Sequence, residues 1–568
     1  MVFFRYGLLC LSLFAVLLLS WNCSESPQTK IKFHQFFYYD LSDRVATLQE
    51  AKAVIRSRYA LLEIKKKRLG IDADKLFAEA VAHEKDFEDT NSALEQARSN
   101  LAFFDRLRAL LANFQDSHLN SNPVTPLPEI YLGFELTQVG KGFYIDFISD
   151  RIAELGRRNQ VTLDRSTQVV AIDDISVETK MIDLAKYVYA SSPGNRRKQA
   201  LKYLTSRSFH YPSSSVSSVT FRTQTGQIVR LKLRWKYRYT HVRLDALYYL
   251  EKLGFNHLEI PVPSEIRSRA ARTELEESER WYGISDPNKV VFRTGLKSVG
   301  ENRVGFVQLF SFYERQVMTE AGEDIQDWLS PLAKFIKKLE DNKTPLIIDL
   351  RQNEGGHVEL PTELMALLAR KDEIYPSYTE AYRLTPGIKQ MWQRINPEHN
   401  PHSRDAIAAG LIQKSMQNDQ TYSDVWSKSL PIGADIIHGS FNQQIAVWLG
   451  PECLSACDIL ALLFERSSRA KLIGEKSGGT GAGYLNWEPY LDARWTDLRH
   501  IVQLDIPNMM FGHSESAKFR FASGGNAVFR FNRENIPVIP HIPYQKTLQD
   551  HLKYDSQMLD YTYKIFDF

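Results

Sequence analysis

The sequence predicts a multidomain α/β protein, α+β in its overall assembly, because the hydrophobic pattern changes character twice along the chain. From about Leu41 to Phe114, apolar positions including Leu107, Leu110 and Leu111 recur at helical spacing with Ala, Glu, Lys and Arg between them. This predicts a helical N-terminal region. Between roughly Ile130 and Trp235 the pattern shortens to alternating strands, among them Val219-Thr220-Phe221-Arg222 and a run from Ile228 to Leu233, joined at Thr225-Gly226. A Gly-containing turn between two such runs signals a β-hairpin. From about Val304, strands and helices alternate: Arg303 to Phe310, a helix through Ile325 to Leu339, then Leu346 to Leu350. That alternation predicts an α/β layer.

The helical region is expected to end at Gln115-Asp116-Ser117-His118, and the Asn, Ser and Pro residues from Asn120 to Pro128 read as a linker. The basic run Lys65-Lys66-Lys67-Arg68 precedes Gly70, where cations favour a helix C-terminus, and reads as a solvated face. Two polar, helix-prone stretches, near 264–298 and 375–431, look inserted into the α/β layer; beside an active site such segments serve as lids or substrate walls.

At 568 residues the chain exceeds what one core supports, so two or three domains are expected. A hydrophobic content of 43% with 24% charged residues is ordinary globular composition. The net charge of +3, without large single-sign blocks, argues against nucleic acid as the main partner. Arg5 followed by the apolar run Gly7 to Leu19 reads as a secretory signal peptide covering 1–23. The run is shorter than the roughly 20 residues a bilayer span needs, so no integral membrane span is expected after its removal. Cys23 stands where a bacterial lipoprotein carries its acylated cysteine, although Trp21 and Asn22 fit that site poorly. Of the four cysteines, Cys453 and Cys457 are close enough to pair in an oxidising compartment, and without further His or Cys ligands no zinc site is expected.

The chemistry concentrates where the apolar run Ile445 to Leu449 passes through Gly450-Pro451-Glu452-Cys453-Leu454-Ser455 into a helical pattern beginning at Ile459. A serine at a strand-to-helix turn is by default a cap. It can instead lift its hydroxyl above the sheet edge, beside the unpaired amides of the first helical turn. A second such end is the strand Leu346 to Leu350 leading into Arg351-Gln352-Asn353-Glu354-Gly355-Gly356, whose glycines allow close backbone approach to a substrate.

This second segment resembles the Asp-Leu-Arg-x-Asn-x-Gly-Gly signature of the carboxyl-terminal processing and tricorn-core serine peptidases. Further matches follow: the Ser455 turn resembles the family's Ser-Ala-x-Glu, Ile473 to Gly481 its glycine-rich loop, Asp116-Ser117-His118 its Asp-x-His, and Glu534 to Pro540 its Glu-Asn-x-Gly-Val-x-Pro. The dyad lysine that many bacterial members carry about 25 residues after the serine is replaced by Thr480. The chain is therefore closer to the Ser-His-Glu branch, that of tricorn core and the chlamydial protease-like activity factor. The resemblance implies Ser455 as nucleophile, His118 as general base and Glu534 as its orienting carboxylate, with Gly356 and Ala456, or Gly355, supplying oxyanion amides. It also implies that Ser117 hydrogen-bonds Glu534, and that no metal or organic cofactor is used. Tyr131-Leu132-Gly133-Phe134 resembles the carboxylate loop of PDZ domains, which implies peptide binding at Leu132, Gly133 and Phe134.

The implied domains are a helical region over 24–122, a PDZ-like unit over 125–236 and a ClpP/crotonase-like catalytic core over 237–568. The implied function is a secreted or periplasmic endopeptidase acting on protein or peptide substrates, with the oligomeric state, homodimer included, left open. His357 and His513 compete with His118 as base, and Glu488 and Glu515 with Glu534; Pro537 and His541 depart from the family pattern around Glu534. Three alternatives stand beside this reading: a Ser-Lys peptidase using Lys476, a non-catalytic peptide- or ligand-binding protein on the same fold, and a zymogen whose cleft is blocked by 375–431.

Overall fold

The computed structural model describes residues 39–566 apart from 88–91, 239–242, 258–279, 284–289, 313–315, 320–323, 371–374, 377, 395–403, 425, 428–440, 485–492, 498–501, 514–517 and 520–530. The expected signal peptide, with Cys10 and Cys23, lies outside the described residues, as do Glu488 and Glu515.

The N-terminal region comprises α1 (Leu41–Arg58), α2 (Leu62–Leu69), α3 (Ala73–Glu84) and α4 (Ala93–Ala112). Polar caps start three of them: the side chains of Asp40, Asp72 and Ser92 accept amides of the first turns of α1, α3 and α4. Gly70, at φ 68°, ends α2 in the left-handed conformation that favours glycine. The apolar stripes of these helices, including Ile55, Phe77, Leu107 and Leu111, share one core with Val502, Leu504 and Ile506 from near the C-terminus. The expected linker is partly strand: β1 (Asn120–Pro123) pairs antiparallel with Val502–Asp505. A polar sequence can form a strand when a partner supplies its ladder bonds, and this pairing anchors the chain just after His118.

Next comes an antiparallel sheet containing β2 (Phe134–Val139), β3 (Gly142–Ile148), β4 (Gln168–Ile172), β5 (Val216–Arg222) and β6 (Ile228–Arg234), with β2 at its edge. The β5–β6 hairpin turns at Gly226, as its sequence requires, with φ 85°. Helix α5 (Pro193–Tyr203), which starts with proline, lies beside β2.

The α/β layer is a nine-stranded sheet. Its centre runs β7 (Val290–Val299), β8 (Asn302–Leu309), β9 (Leu346–Asp349), β10 (Ile445–Leu449), β11 (Lys471–Gly474) and β12 (Ile542–Pro543), parallel from β8 onward. Helices α6 (Leu329–Asp341), α7 (Glu359–Leu368) and α8 (Ala456–Ser467) bury Leu332, Leu364 and Leu460 on one face; α9 (Ser556–Ile565) covers the other through Met558 against Trp448. Strands buried on both faces explain why β9 and β10 read as unbroken apolar runs.

The described parts of the two polar stretches pack into this layer. Residues 280–283 and 290–299 are strands of the central sheet, and Tyr382, Ile388, Trp392 and Ile412 of the second stretch belong to its main core. Several of their polar residues are themselves buried, among them Arg293, Thr294, Thr379 and Glu380, the last accepting the Tyr378 and Tyr382 hydroxyls.

Arg351 ties this layer to the C-terminus. Its guanidinium donates to Asp349 Oδ1 and Oδ2 at 2.9 and 2.8 Å and to Asp555 Oδ2 at 2.7 Å, and lies 4.7 Å from the Trp448 ring. Asp349 is 1% exposed, so losing its partner leaves a buried charge. Arg351→Met should lower unfolding free energy by about 3 kcal/mol in chemical denaturation, the low end for a buried pair because Arg351 itself is part-exposed. A change below about 1 kcal/mol would mean that water replaces the guanidinium freely.

Candidate active site

Ser455 sits between β10 and α8 with φ 57° and ψ −120°, a conformation that a non-glycine residue holds only under constraint from its surroundings. It stands at the N-cap position, yet its side chain makes no capping bond. Its hydroxyl instead lies 3.1 Å from Nε2 of His118. The expected pair is thus within hydrogen-bond reach, although its members come from opposite ends of the chain.

The β9 loop is fastened to the serine turn through Asn353. Asn353 is wholly buried; its side-chain oxygen accepts the Gly355 amide at 2.9 Å and its carbonyl accepts the Leu454 amide at 3.1 Å. Gly355, at φ 93°, passes so close to the serine turn that an added Cβ would lie 2.7 Å from Ser455 Cβ and 2.6 Å from the Leu454 carbonyl. Only glycine fits there. The bond to Asn353 also corrects one expectation, since the Gly355 amide is committed and cannot serve an oxyanion. The amides of Gly356 and Ala456 donate to no acceptor among the described residues, and they lie on the two loops that meet at Ser455.

Behind the serine, Asp458 in the first turn of α8 gathers the glycine-rich loop: it accepts the Ser477 hydroxyl and the amides of Gly479 and Thr480, the latter two at 3.2 and 2.9 Å. Burial pushes its carboxyl up to about 6, against the pull of these donors. Thr480, in place of a dyad lysine, is buried with its hydroxyl 3.4 Å from Ser117 Oγ. Lys476 is exposed, as is His357, so neither rival base is placed as His118 is. The bounds of the strand Met509–His513 include the third rival, His513.

Glu534 enters the site without reaching His118. Its carboxylate is held by Lys65 Nζ at 2.7 Å and by the Gly481 amide at 2.6 Å, and both charged side chains are wholly buried. Nδ1 of His118 is buried without a hydrogen bond, and the carboxylate beside it belongs to Asp116, whose Oδ1 is 3.9 Å away. Asp116 is itself fixed by the His118 amide and the Tyr59 hydroxyl, each at 2.8 Å. The expected direct contact from Glu534 to the imidazole is therefore replaced by a carboxylate two residues from the histidine. Ser117 also departs from expectation: its hydroxyl approaches Ser191 and Thr480 rather than Glu534.

Lys65 was missed. The run 65–68 looked like a solvated helix end, but Lys65 Nζ also donates to the Gln115 carbonyl and Asn535 Oδ1, both at 2.8 Å, while Arg68 donates to the Glu534 and Asn532 carbonyls at 2.5 and 2.8 Å. A signal was present in the helical phase, which puts Lys65 on the same face as Leu61 and apart from Lys66 and Lys67. Burial, then the charge of Asp116, pushes the Glu534 carboxyl up to about 7, with Lys65 and the Gly481 amide acting against that. Burial also lowers the His118 pKa, the Asp116 charge raising it and the Lys65 charge lowering it.

Leu132 and Phe134 are wholly buried, and the Leu132 amide donates to the Thr205 carbonyl at 2.9 Å. Those side chains are core, and that amide is not free for a carboxylate. A cavity of about 570 Å³, lined by Gln138, Arg197, Arg351, Pro451 and Lys546 among others, lies behind the serine loop rather than on Ser455.

Residues 303–488 match the model of peptidase family S41, a span that holds Asp349 to Gly356 and Ser455. The segment that carries the β9 loop and the Ser455 turn is thus that of a family S41 peptidase. The match supports a serine-type peptidase. The fold is similar to that of mature CPAF complexed with lactacystin and of mature CPAF, each with TM-score 0.65 at 16% identity, covering 92% of this chain and 98% and 97% of theirs. A crystal structure of a CPAF mutant gives TM-score 0.61 at 16% identity over 93% of this chain and 97% of that one. No curated protein matches the sequence.

Two outcomes are expected of these contacts. Lys65→Met leaves the Glu534 charge buried and unpaired, so unfolding free energy should fall by about 3–5 kcal/mol, with most of the loss recovered in Lys65→Met/Glu534→Gln. Equal stability of the single and double variants would show that the pair is not coupled. For pH, a histidine base works only when neutral, and its lowered pKa keeps it neutral further into acid. The acid limb of kcat/KM should therefore fall below pH 6.5, and Asp116→Asn, removing an anion that favours imidazolium, should move it lower still. An upward shift in that variant would contradict the placement of Asp116.

Proposed function

We propose that this peptidase is exported and cleaves extended or unfolded polypeptides internally through an acyl-enzyme on Ser455. The observation that carries the reading is the 3.1 Å approach of His118 Nε2 to Ser455 Oγ at a strained, uncapped helix entry. A hydroxyl is a weak nucleophile at neutral pH, and a neutral imidazole in this position takes its proton as the oxygen attacks the substrate carbonyl. The amides of Gly356 and Ala456 receive the developing oxyanion, each such donor contributing roughly 10²- to 10³-fold in rate. The imidazolium then protonates the leaving amine, and water enters by the reverse path.

In this mechanism Asp116 faces Nδ1, and Glu534 acts from one step behind. The 3.9 Å separation from Asp116 is longer than a hydrogen bond, and such contacts tighten when substrate closes the site. The carboxylate of Glu534 balances Lys65, whose unscreened charge beside His118 would oppose the imidazolium. This keeps the serine, histidine and glutamate in one electrostatic unit without a direct bond from glutamate to histidine. In the PDZ-like unit, the outer edge of β2 beside α5 suits an added substrate strand. The signal-like residues 1–23 support export.

The alternatives fit less well. A ligand carrier has no need of a strained serine held against a histidine, and an exposed Lys476 is poorly placed to act as base. Labelling of the purified protein by a fluorophosphonate probe is the test. The probe should modify Ser455 in the wild type, fail with Ser455→Ala, and react at least about 10³-fold more slowly with His118→Ala. Undiminished labelling of Ser455→Ala would remove the assignment, and no labelling of the wild type would favour a binding protein or a zymogen.

A further inference from the structure

Ser455 lies midway between Cys453 and Cys457, which are wholly buried and joined by a disulfide with Cα atoms 5.1 Å apart. We infer that this bridge is a positioning element for the nucleophile, holding the serine turn so that the hydroxyl meets His118, and that breaking it slows acylation. The inference rests on Ser455 being the nucleophile.

The argument begins with what is missing. The entry to a helix is ordinarily fixed by an N-cap side chain that accepts an amide of the first turn. At α8 the N-cap residue is Ser455, and its hydroxyl is turned to His118 instead. A group reserved for chemistry cannot also hold the helix entry. The turn nevertheless keeps a backbone conformation that is sparsely populated for serine, and such a residue persists only where neighbours over-determine it. The other restraints act on the flanks: Gly478 donates to the Cys453 carbonyl at 2.8 Å, Leu454 to the Asn353 carbonyl at 3.1 Å and Cys457 to the Leu454 carbonyl at 2.9 Å. Of the serine's own backbone groups, the carbonyl accepts the Ile459 amide of α8 at 3.1 Å, on the helix side of the turn. The disulfide alone joins the residue two before the serine covalently to the residue two after it, so the intervening span cannot lengthen or unwind.

The chemistry of opening the bridge is thiol–disulfide exchange. A thiolate of a dithiol attacks one sulfur, a mixed disulfide forms, and the second thiol displaces it. Two electrons pass to the bridge, leaving two cysteine thiols and an oxidised dithiol. Because both sulfurs are buried, attack on the folded protein requires local opening, and the clearer arm of a test is a variant that cannot form the bridge.

The test compares full-length wild type, wild type reduced with dithiothreitol and kept anaerobic after its removal, and Cys453→Ala/Cys457→Ala, with Cys453→Ser/Cys457→Ser in reserve should the alanine variant fold poorly. The readouts are the rate of fluorophosphonate labelling at Ser455, and kcat and KM on an unfolded protein substrate. The inference expects labelling and kcat to fall about tenfold or more without the bridge, KM and circular dichroism to stay unchanged, and reoxidation to restore the reduced wild type but not the variants. Equal labelling of Ser455 in all forms would overturn the inference while leaving the nucleophile in place, as would free thiols at both positions in unreduced wild type. Oxidised wild type that is not labelled at Ser455 at all would instead remove the nucleophile assignment, and this inference with it.

Discussion

The structure depends on one backbone constraint: the chain must turn from β10 into α8 with Ser455 at φ 57°, its hydroxyl raised and uncapped. Such a turn is sustained only by close packing on every side. In front stand Asn353 and Gly355, the latter without room for a side chain; behind, Asp458 draws in Ser477, Gly479 and Thr480. The parallel strands β9, β10 and β11 explain why these loops meet, since in a parallel sheet successive loops leave from the same edge. The buried runs that read as hydrophobic filler thus have a second task, which is to deliver polar loops in register.

The second task of the fold is to bring a base to that serine from 337 residues away. The N-terminal helices do this by sharing a core with strands near the C-terminus, while β1 pairs with Val502–Asp505 immediately after His118. At the seam sits an unusual choice, a lysine and a glutamate both wholly buried. Desolvating both charges makes such a pair a poor source of net stability, but either alone is far costlier, so the pair penalises a displaced helical layer. Apolar packing alone would let the helices shift by a fraction of a turn; Lys65, with partners on Gln115, Glu534 and Asn535, admits one register.

Much of this was legible because it is written in short contiguous segments. The Asp349 to Gly356 loop, the Ser455 turn and the Asp116 to His118 segment each carry their function within a few residues, and each lies in the serine's neighbourhood. What could not be read was pairwise: that Glu534 would meet Lys65 rather than His118, and that the Gly355 amide would be spent on Asn353. Long-range partners leave no periodic trace. The charge run 65–68 misled for a different reason, since four cations in sequence suggest solvent while one helical face can still turn inward. The strand 290–299 was hard to read from sequence because its buried positions include the polar Arg293 and Thr294, so it lacks a clean alternation.

The substitution of Thr480 for a lysine then has a consequence for the whole architecture. In a Ser-Lys site, nucleophile and base both come from the α/β layer, within about 25 residues of each other, so the layer is chemically complete by itself. Here Thr480 holds a hydroxyl 3.4 Å from Ser117, and the buried lysine near the site, Lys65, comes from α2 and pairs with Glu534. Nucleophile and oxyanion loops belong to one layer and the histidine to another. In the proposed mechanism the proton acceptor therefore belongs to the helical layer, and a buried charge pair, Lys65 with Glu534, spans the seam between the two layers. On that proposal the N-terminal helices are not a prefix to the peptidase but supply half of its active site.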